Sequence, residues 1–283
     1  MDTKRKHLIR LGAGVAAGLG AVALVWAGTA SAGAEENSTQ SDFEAQVIGG
    51  QEAEEGQYPW LVGLGSAGSG TPWENQFCGG SVIAPTVVLT AAHCVESDAP
   101  EDLAVFSGSV DLEGPDIVTT GVADIHVAED YESPTQFAND WALLLLAEPV
   151  DVEPIALNAD LTEFDAFETA GWGLTEENEY PTLARWVEVP FVDDTQCAEA
   201  YPDEHDAASM VCAGDLASGG IDACSGDSGG PLMAGAEDGS QVLAGIVSWG
   251  YGCAEPGYPG VYSEVATFVP TIEEVVAGWG AEL

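Results

Sequence analysis

The chain has 283 residues, 46% of them hydrophobic, which is enough apolar material to bury a core in one large domain or two small ones. Against that, 48 acidic residues face only five basic ones, for a formal net charge of −43. A surface so poor in lysine and arginine cannot neutralise phosphates, so nucleic acid is excluded as a partner, and the apolar content argues against a disordered acidic chain.

Four of the five basic residues, Lys4, Arg5, Lys6 and Arg10, open the chain. An apolar run rich in glycine and alanine follows from Leu11 to Gly28, and then Ala30-Ser31-Ala32, a small-residue pattern suited to signal peptidase. Residues 1–32 therefore read as an export signal and the product as secreted and extracellular. The alternative is an uncleaved anchor, since the run reaches the ~18 residues at which spanning begins. The glycines and the Ala-Ser-Ala site favour cleavage, after which no membrane contact is expected. Residues 33–46 are polar and acidic, as in a linker or pro-segment.

From Val47 onward the texture changes to short apolar runs separated by glycine, proline and acidic residues: Tyr58–Leu64, Ser81–Ala91, Trp141–Leu146, Trp186–Val192, Val242–Trp249 and Val261–Val265. Many short strands with turn signals between them predict an all-β sandwich or barrel. At the end Val269, Ile272, Val276 and Trp279 recur at helical spacing and predict one C-terminal helix. Six cysteines, an even set in an exported chain, predict three disulfides, and sequence alone leaves fifteen pairings open. None of them lies in a zinc-ligand spacing.

Chemistry concentrates at Gly226-Asp227-Ser228-Gly229-Gly230-Pro231. A serine between glycines can sit on a tight turn with its hydroxyl exposed and backbone N–H groups turned outward to hold an oxyanion, although the same residue types also build ordinary surface turns. A serine nucleophile needs a base, itself oriented by a third group. Beyond the leader only His93, His126 and His205 are available, and His93 follows an apolar strand in Thr90-Ala91-Ala92-His93-Cys94. Asp140 enters the apolar run Trp141-Ala142-Leu143-Leu144, where a carboxylate is costly unless hydrogen-bonded.

Together these segments resemble the chymotrypsin-like serine protease family, most closely the secreted bacterial trypsins. The matching stretches are Val47-Ile48-Gly49-Gly50, Thr90–Cys94, Asp140–Leu143, Gly171-Trp172-Gly173, Cys224–Pro231 and Val247–Cys253, so the resemblance spans residues 47–283. It implies two six-stranded β-barrels packed together with a C-terminal helix, joined near residues 148–160. It further implies a catalytic His93, Asp140 and Ser228, an oxyanion hole from the N–H groups of Gly226 and Ser228, and disulfides Cys78–Cys94, Cys197–Cys212 and Cys224–Cys253. Asp222, six residues before Ser228, matches the base of the primary specificity pocket, with Gly250 and Gly260 at its walls. That implies cleavage after arginine or lysine, because an uncharged guest would leave a buried carboxylate unpaired. Tyr201 matches the trypsin pattern as well, and Ser248, Trp249 and Gly250 are implied to pair with the substrate backbone. Peptide or protein substrates with Arg or Lys and protease inhibitors are the implied partners of a monomer that requires no cofactor.

Three features depart from the family. Val47 would supply the free amino group that pairs with Asp227 on activation, yet Gln46 stands before it where many trypsin precursors carry a basic residue. Asp194 and Glu264 match carboxylates with which some bacterial relatives bind calcium, but the third such position is Met210. Finally, five of the 48 acidic residues precede Val47, leaving 43 beside a single basic residue, Arg185. Self-repulsion of that order destabilises a compact state and falls away at ~1 M salt, where the Debye length is ~3 Å, so adaptation to a hypersaline medium is expected. The competing functional reading is an inactive protease fold serving as a binding module.

Overall fold

Strands here are written by their inward faces. In Val87–Thr90 every side chain is buried, and in Leu61–Ser66 only the last residue is exposed, because these segments lie between a barrel interior and neighbouring structure. The computed structural model describes residues 48–158, 160–161, 164–236 and 240–283, so residues 1–32, read above as an export signal, the 33–46 segment and Val47 lie outside the described residues.

The elements run in order: β1 (Gln51–Glu52), β2 (Leu61–Ser66), α1 (Pro72–Asn75), β3 (Gln76–Ala84), β4 (Val87–Thr90), β5 (Leu103–Ser107), β6 (Val118–Val127), β7 (Ala142–Leu146), β8 (Ala156–Leu157), β9 (Ala166–Gly171), β10 (Arg185–Val192), α2 (Asp194–Ala200), β11 (Met210–Ala213), β12 (Pro231–Gly235), β13 (Gln241–Trp249), β14 (Gly260–Glu264) and α3 (Val265–Gly278). The first barrel closes in the order β2-β3-β4-β7-β6-β5, with β5 returning to pair with β2. The second closes through β9-β10-β11-β14-β13-β12, with β12 pairing back onto β9. Closure leaves no unpaired edge in either ring. β1 adds to β10, and β8, on the connection between the barrels, runs parallel to β13. This is the two-barrel, all-β architecture implied by the resemblance.

The single run expected over Ser81–Ala91 is two strands, β3 and β4, divided at Pro85-Thr86, because proline has no N–H to give the ladder. At the other end, Val265 is the first residue of α3 rather than the last of a strand. The helix buries Val265, Phe268, Ile272 and Val276 along one face, stacks Phe268 on Trp141 of the first barrel, and donates from Trp279 Nε1 to Asp124. Among the described residues no helix is long and apolar enough to cross a membrane.

The cysteines pair as Cys78–Cys94, Cys197–Cys212 and Cys224–Cys253. The first ties β3 to the turn that carries His93, and the third ties the segment before Ser228 to the one after Gly250. Each closes a short loop, a constraint worth about 3 kcal/mol in a chain-entropy account.

Candidate active site

His93 sits in a single 3-10 turn, Ala92–Cys94, directly after β4. Its backbone N–H donates to Asp140 Oδ1 at 2.9 Å and its Nδ1 lies 2.7 Å from Oδ2. Asp140 is fully buried, where a carboxylate is costly unless it accepts such bonds. Ser248 supplies another, its hydroxyl donating to Oδ2 at 2.5 Å, while Ser263 Oγ holds the Asp140 carbonyl at 2.8 Å. Two bonds to one histidine fix the ring, and the carboxylate at Nδ1 selects the tautomer with the proton there. Nε2 is left as the acceptor. The turn that delivers Asp140 passes through Asn139 at φ 56°, a conformation asparagine tolerates, and its side chain ties back to the Ser133 carbonyl at 2.7 Å.

Ser228 is among the residues that line a cavity. Its carbonyl accepts from Gly79 N–H at 2.7 Å, fixing the serine turn to the first barrel. The amides around it are mostly committed: Asp227 N–H to the Cys224 carbonyl, Gly229 N–H to Val247, Gly230 N–H to Asp227. Those of Gly226 and Ser228 have no backbone acceptor among the described residues, which is the arrangement an oxyanion needs. Gly226 adopts φ 102°, open to glycine alone, and Gln76 Nε2 clamps its carbonyl at 2.9 Å. Among the described residues the Ser228 hydroxyl forms no hydrogen bond to His93, whose Nε2 lies 3.7 Å from Cys94 Sγ. Such bonds often tighten only when substrate arrives.

Asp227 is buried beneath this turn and accepts from Gly173 N–H at 2.7 Å and Cys224 N–H at 3.0 Å. Gly171 and Gly173 are glycines for a packing reason, since a Cβ on either would collide with that carboxylate. Burial pushes the Asp227 pKa up to about 6. The residue after Val47, Ile48, forms a bridge to Asp222, whose N–H donates to the Ile48 carbonyl at 3.2 Å.

The cavity measures about 300 Å³ and is lined by Asp222, Ser228, Trp249, Gly250, Tyr251 and Gly260 among others. Asp222 is 5% exposed and accepts from Ala223 N–H at 2.8 Å, Ala254 N–H at 3.2 Å and Tyr262 Oη at 3.4 Å. Burial nevertheless dominates and pushes its pKa up to about 7, which marks a carboxylate held by hydrogen bonds without a neighbouring cation among the described residues. The two wall glycines differ. A Cβ at Gly260 would strike Asp222, whereas one at Gly250, which also lines the cavity, would meet nothing closer than 3.8 Å.

Of the residues expected to touch substrate, Ser248, Trp249 and Gly250 all line the cavity, and Ser248 also donates its hydroxyl to Asp140. Tyr201 lies behind the wall rather than in it, fully buried, with its hydroxyl donating to the Pro259 carbonyl at 2.6 Å. Phe137, at φ 62°, was not found from sequence. It stands edge-on to His93 at 6.0 Å and stacks on Trp249 at 6.1 Å. Asp194 opens α2 and lies 3.7 Å from His205 Nε2. Glu264 is half-buried, and burial followed by the charge of Asp194 raises its pKa. Two carboxylates beside a buried Met210 thioether and an imidazole are a poor side-chain set for calcium, which takes ~6–8 oxygens, and no step is assigned to a metal.

A family model described as Trypsin matches residues 47–272. A trypsin-like protease of Streptomyces glaucescens is 36% identical over 267 residues, covering 93% of this chain and 92% of that protein. Trypsin zeta of Drosophila melanogaster is 36% identical over 261 residues (86% and 90%), and a trypsin of Saccharopolyspora erythraea 35% over 238 residues (82% and 99%). Because animal and bacterial trypsins match at the same level across nearly their whole lengths, and the barrels and buried aspartates agree with that match, the chain belongs to the trypsin family and is a trypsin-like serine endopeptidase.

Proposed function

We propose that the protein is a secreted endopeptidase that cleaves after arginine or lysine. The observation that carries the specificity is Asp222, a buried carboxylate with a raised pKa in the lining of an otherwise neutral cavity that Ser228 also lines. A guanidinium or ammonium is the guest that relieves it, since charge and hydrogen bonds are restored together.

In the proposed mechanism, substrate pairs in an extended conformation beside Ser248–Gly250, with its basic side chain in the cavity. Ser228 Oγ attacks the carbonyl while His93 Nε2 takes its proton. Asp140, held by Ser248, stabilises the imidazolium without accepting the proton. The developing oxyanion is met by the N–H groups of Gly226 and Ser228. His93 then returns the proton to the leaving amine, and water repeats the sequence to release the acid from Ser228. Activation follows from release of the Val47 amine, whose charge would pair with Asp227 and lower its raised pKa. Gln46 does not fit an acidic pocket, so a protease of different specificity makes that cut. The −43 charge supports a saline medium, and the leader supports export.

The test is hydrolysis of matched Arg, Lys and Phe peptide amides at molar salt. Arg and Lys amides should be cleaved at least ~10³-fold faster than Phe, as for a site whose buried polar group is left unpaired by the wrong guest. Faster cleavage after Phe would refute the pocket assignment.

A further inference from the structure

The groove does not end at the primary cavity. From His93 the surface continues over Phe137 and Trp249 to Tyr251 and Tyr258, with Trp249–Tyr251 and Tyr251–Tyr258 ring centroids 6.1 and 5.6 Å apart. Beneath them lies the buried Tyr201, in contact with all three rings at 4.7, 5.2 and 5.9 Å, which accounts for its place behind the wall. Tyr251 and Tyr258 remain 48% and 42% exposed, an unusual use of aromatic surface on so acidic a protein. At the far end Tyr251 Oη donates to Glu204 Oε1 at 2.5 Å, and the Glu204 chain is pinned by Thr135 Oγ1 on its carbonyl at 2.9 Å.

Carboxylate and ring reinforce one another here. A phenol that donates to a carboxylate gains electron density in its ring face, and such a face attracts cations. Among the described residues the second Glu204 oxygen accepts no hydrogen bond, so it remains a partner for an N–H group. The position also fits an extended substrate. Side chains two residues apart share a face and are separated by about 6.6–7 Å, so the residue two upstream of the one held by Asp222 returns to the face lined by Tyr251.

We propose that Tyr251, Tyr258 and Glu204 form a second cation subsite, which takes a lysine or arginine side chain two residues upstream of the scissile-bond residue. This rests on the assignment of Asp222 as the primary pocket. The preferred substrates are then peptides with two basic residues separated by one, and aromatic contact supplies selectivity that a screened surface charge cannot supply in concentrated salt.

The experiment compares fluorogenic amides of Lys-Ala-Arg and norleucine-Ala-Arg, which differ only in charge at the distal position, at molar salt where the general field reaches about 3 Å. A third substrate moves the lysine one residue further upstream. The expected kcat/KM ratio of lysine to norleucine is about tenfold, from two exposed ring contacts and one ion pair. It should fall towards unity in Tyr251→Leu and by a smaller factor in Glu204→Gln, and the shifted lysine should show little preference. A ratio near one in the unaltered enzyme, or the same preference for the shifted lysine, overturns the subsite. Because each ratio is taken within one protein, a loss of folded enzyme in a variant does not mimic either result. Failure to cleave the norleucine peptide after arginine would instead sink the primary pocket, and this proposal with it.

Discussion

Replacing Asp222 by serine should move activity and stability in opposite directions. The carboxylate is 5% exposed and its pKa is pushed up to about 7 by burial, so at pH 8 the unliganded enzyme carries an ionised group it would hold more cheaply as the acid. The sign is fixed by linkage. Between the ordinary carboxylate pKa of 3.8 and about 7 the folded state binds more protons than the unfolded, so stability falls as pH rises through that window. Serine removes this cost, at most about 4 kcal/mol, but leaves the Ala223 and Ala254 amides without their acceptor, at roughly 1 kcal/mol each. The net is a gain of about 1–2 kcal/mol, or a few degrees in Tm. Arg and Lys substrates lose the partner of a buried charge, which costs about 3–5 kcal/mol, or some two to four decades in kcat/KM. Thermal unfolding at pH 8 with parallel kinetics on Arg and Phe amides reads both effects. Arg hydrolysis retained within tenfold, or a Tm that drops together with activity, would refute the account of Asp222.

The affinity of a small amidine inhibitor should fall about tenfold per unit as pH drops below 7, because its partner Asp222 becomes protonated; titration calorimetry from pH 5 to 8 measures the slope, which Asp222→Asn should flatten. Gly250→Val should abolish cleavage after Arg with Tm nearly unchanged, since Gly250 lines the cavity and a Cβ there meets nothing closer than 3.8 Å, whereas Gly171→Ala should cost about 1–3 kcal/mol of stability by pressing on Asp227. Ser263→Ala, which frees the Asp140 carbonyl, should lower kcat more than it raises KM, because Asp140 acts through His93 and not on substrate binding. Denaturant midpoints should rise with NaCl into the molar range, and full stability in salt-free neutral buffer would contradict the saline adaptation.

The serine turn and its glycines were legible because each glycine answers a local demand, a positive φ at Gly226 or the closeness of Asp227 to Gly171 and Gly173. Strands that announce themselves by continuous apolar runs, such as β7 and β13, were legible too. β6 was not, because Val118-Thr-Thr-Gly-Val-Ala-Asp-Ile-His-Val buries only Thr120 and Val122 and shows no clean alternation. β11 and β12, four and five residues long, lack the length to stand out from the turns around them. The supports of the site escaped for a different reason. Ser263 and Gln76 reach Asp140 and Gly226 across 123 and 150 residues of chain, and no local pattern encodes such a partner. Phe137 is a lone aromatic in a polar loop with a backbone conformation that phenylalanine does not advertise.

The same composition that fits a saline surface also bears on self-digestion. A protease with an acidic primary pocket endangers itself in proportion to its own accessible lysine and arginine. After Gln46 this chain has no lysine and one arginine. Arg185 is 7% exposed, begins β10 between β1 and β9, and pairs with Glu52 at 3.3 Å. Cleavage there requires a locally unfolded, extended segment, and opening a strand ringed by two neighbours draws on nearly the whole stability of the second barrel. Under the proposed specificity, a surface of carboxylates with almost no cations would be both hydrated in salt and nearly free of cut sites. The mature enzyme stored at high concentration should stay intact for as long as it stays folded, with any early fragment ending at Arg185. The same storage in low salt, where the repulsion of the carboxylates is unscreened, should bring that one cut forward. Fragmentation at other positions would show that the pocket does not select cations.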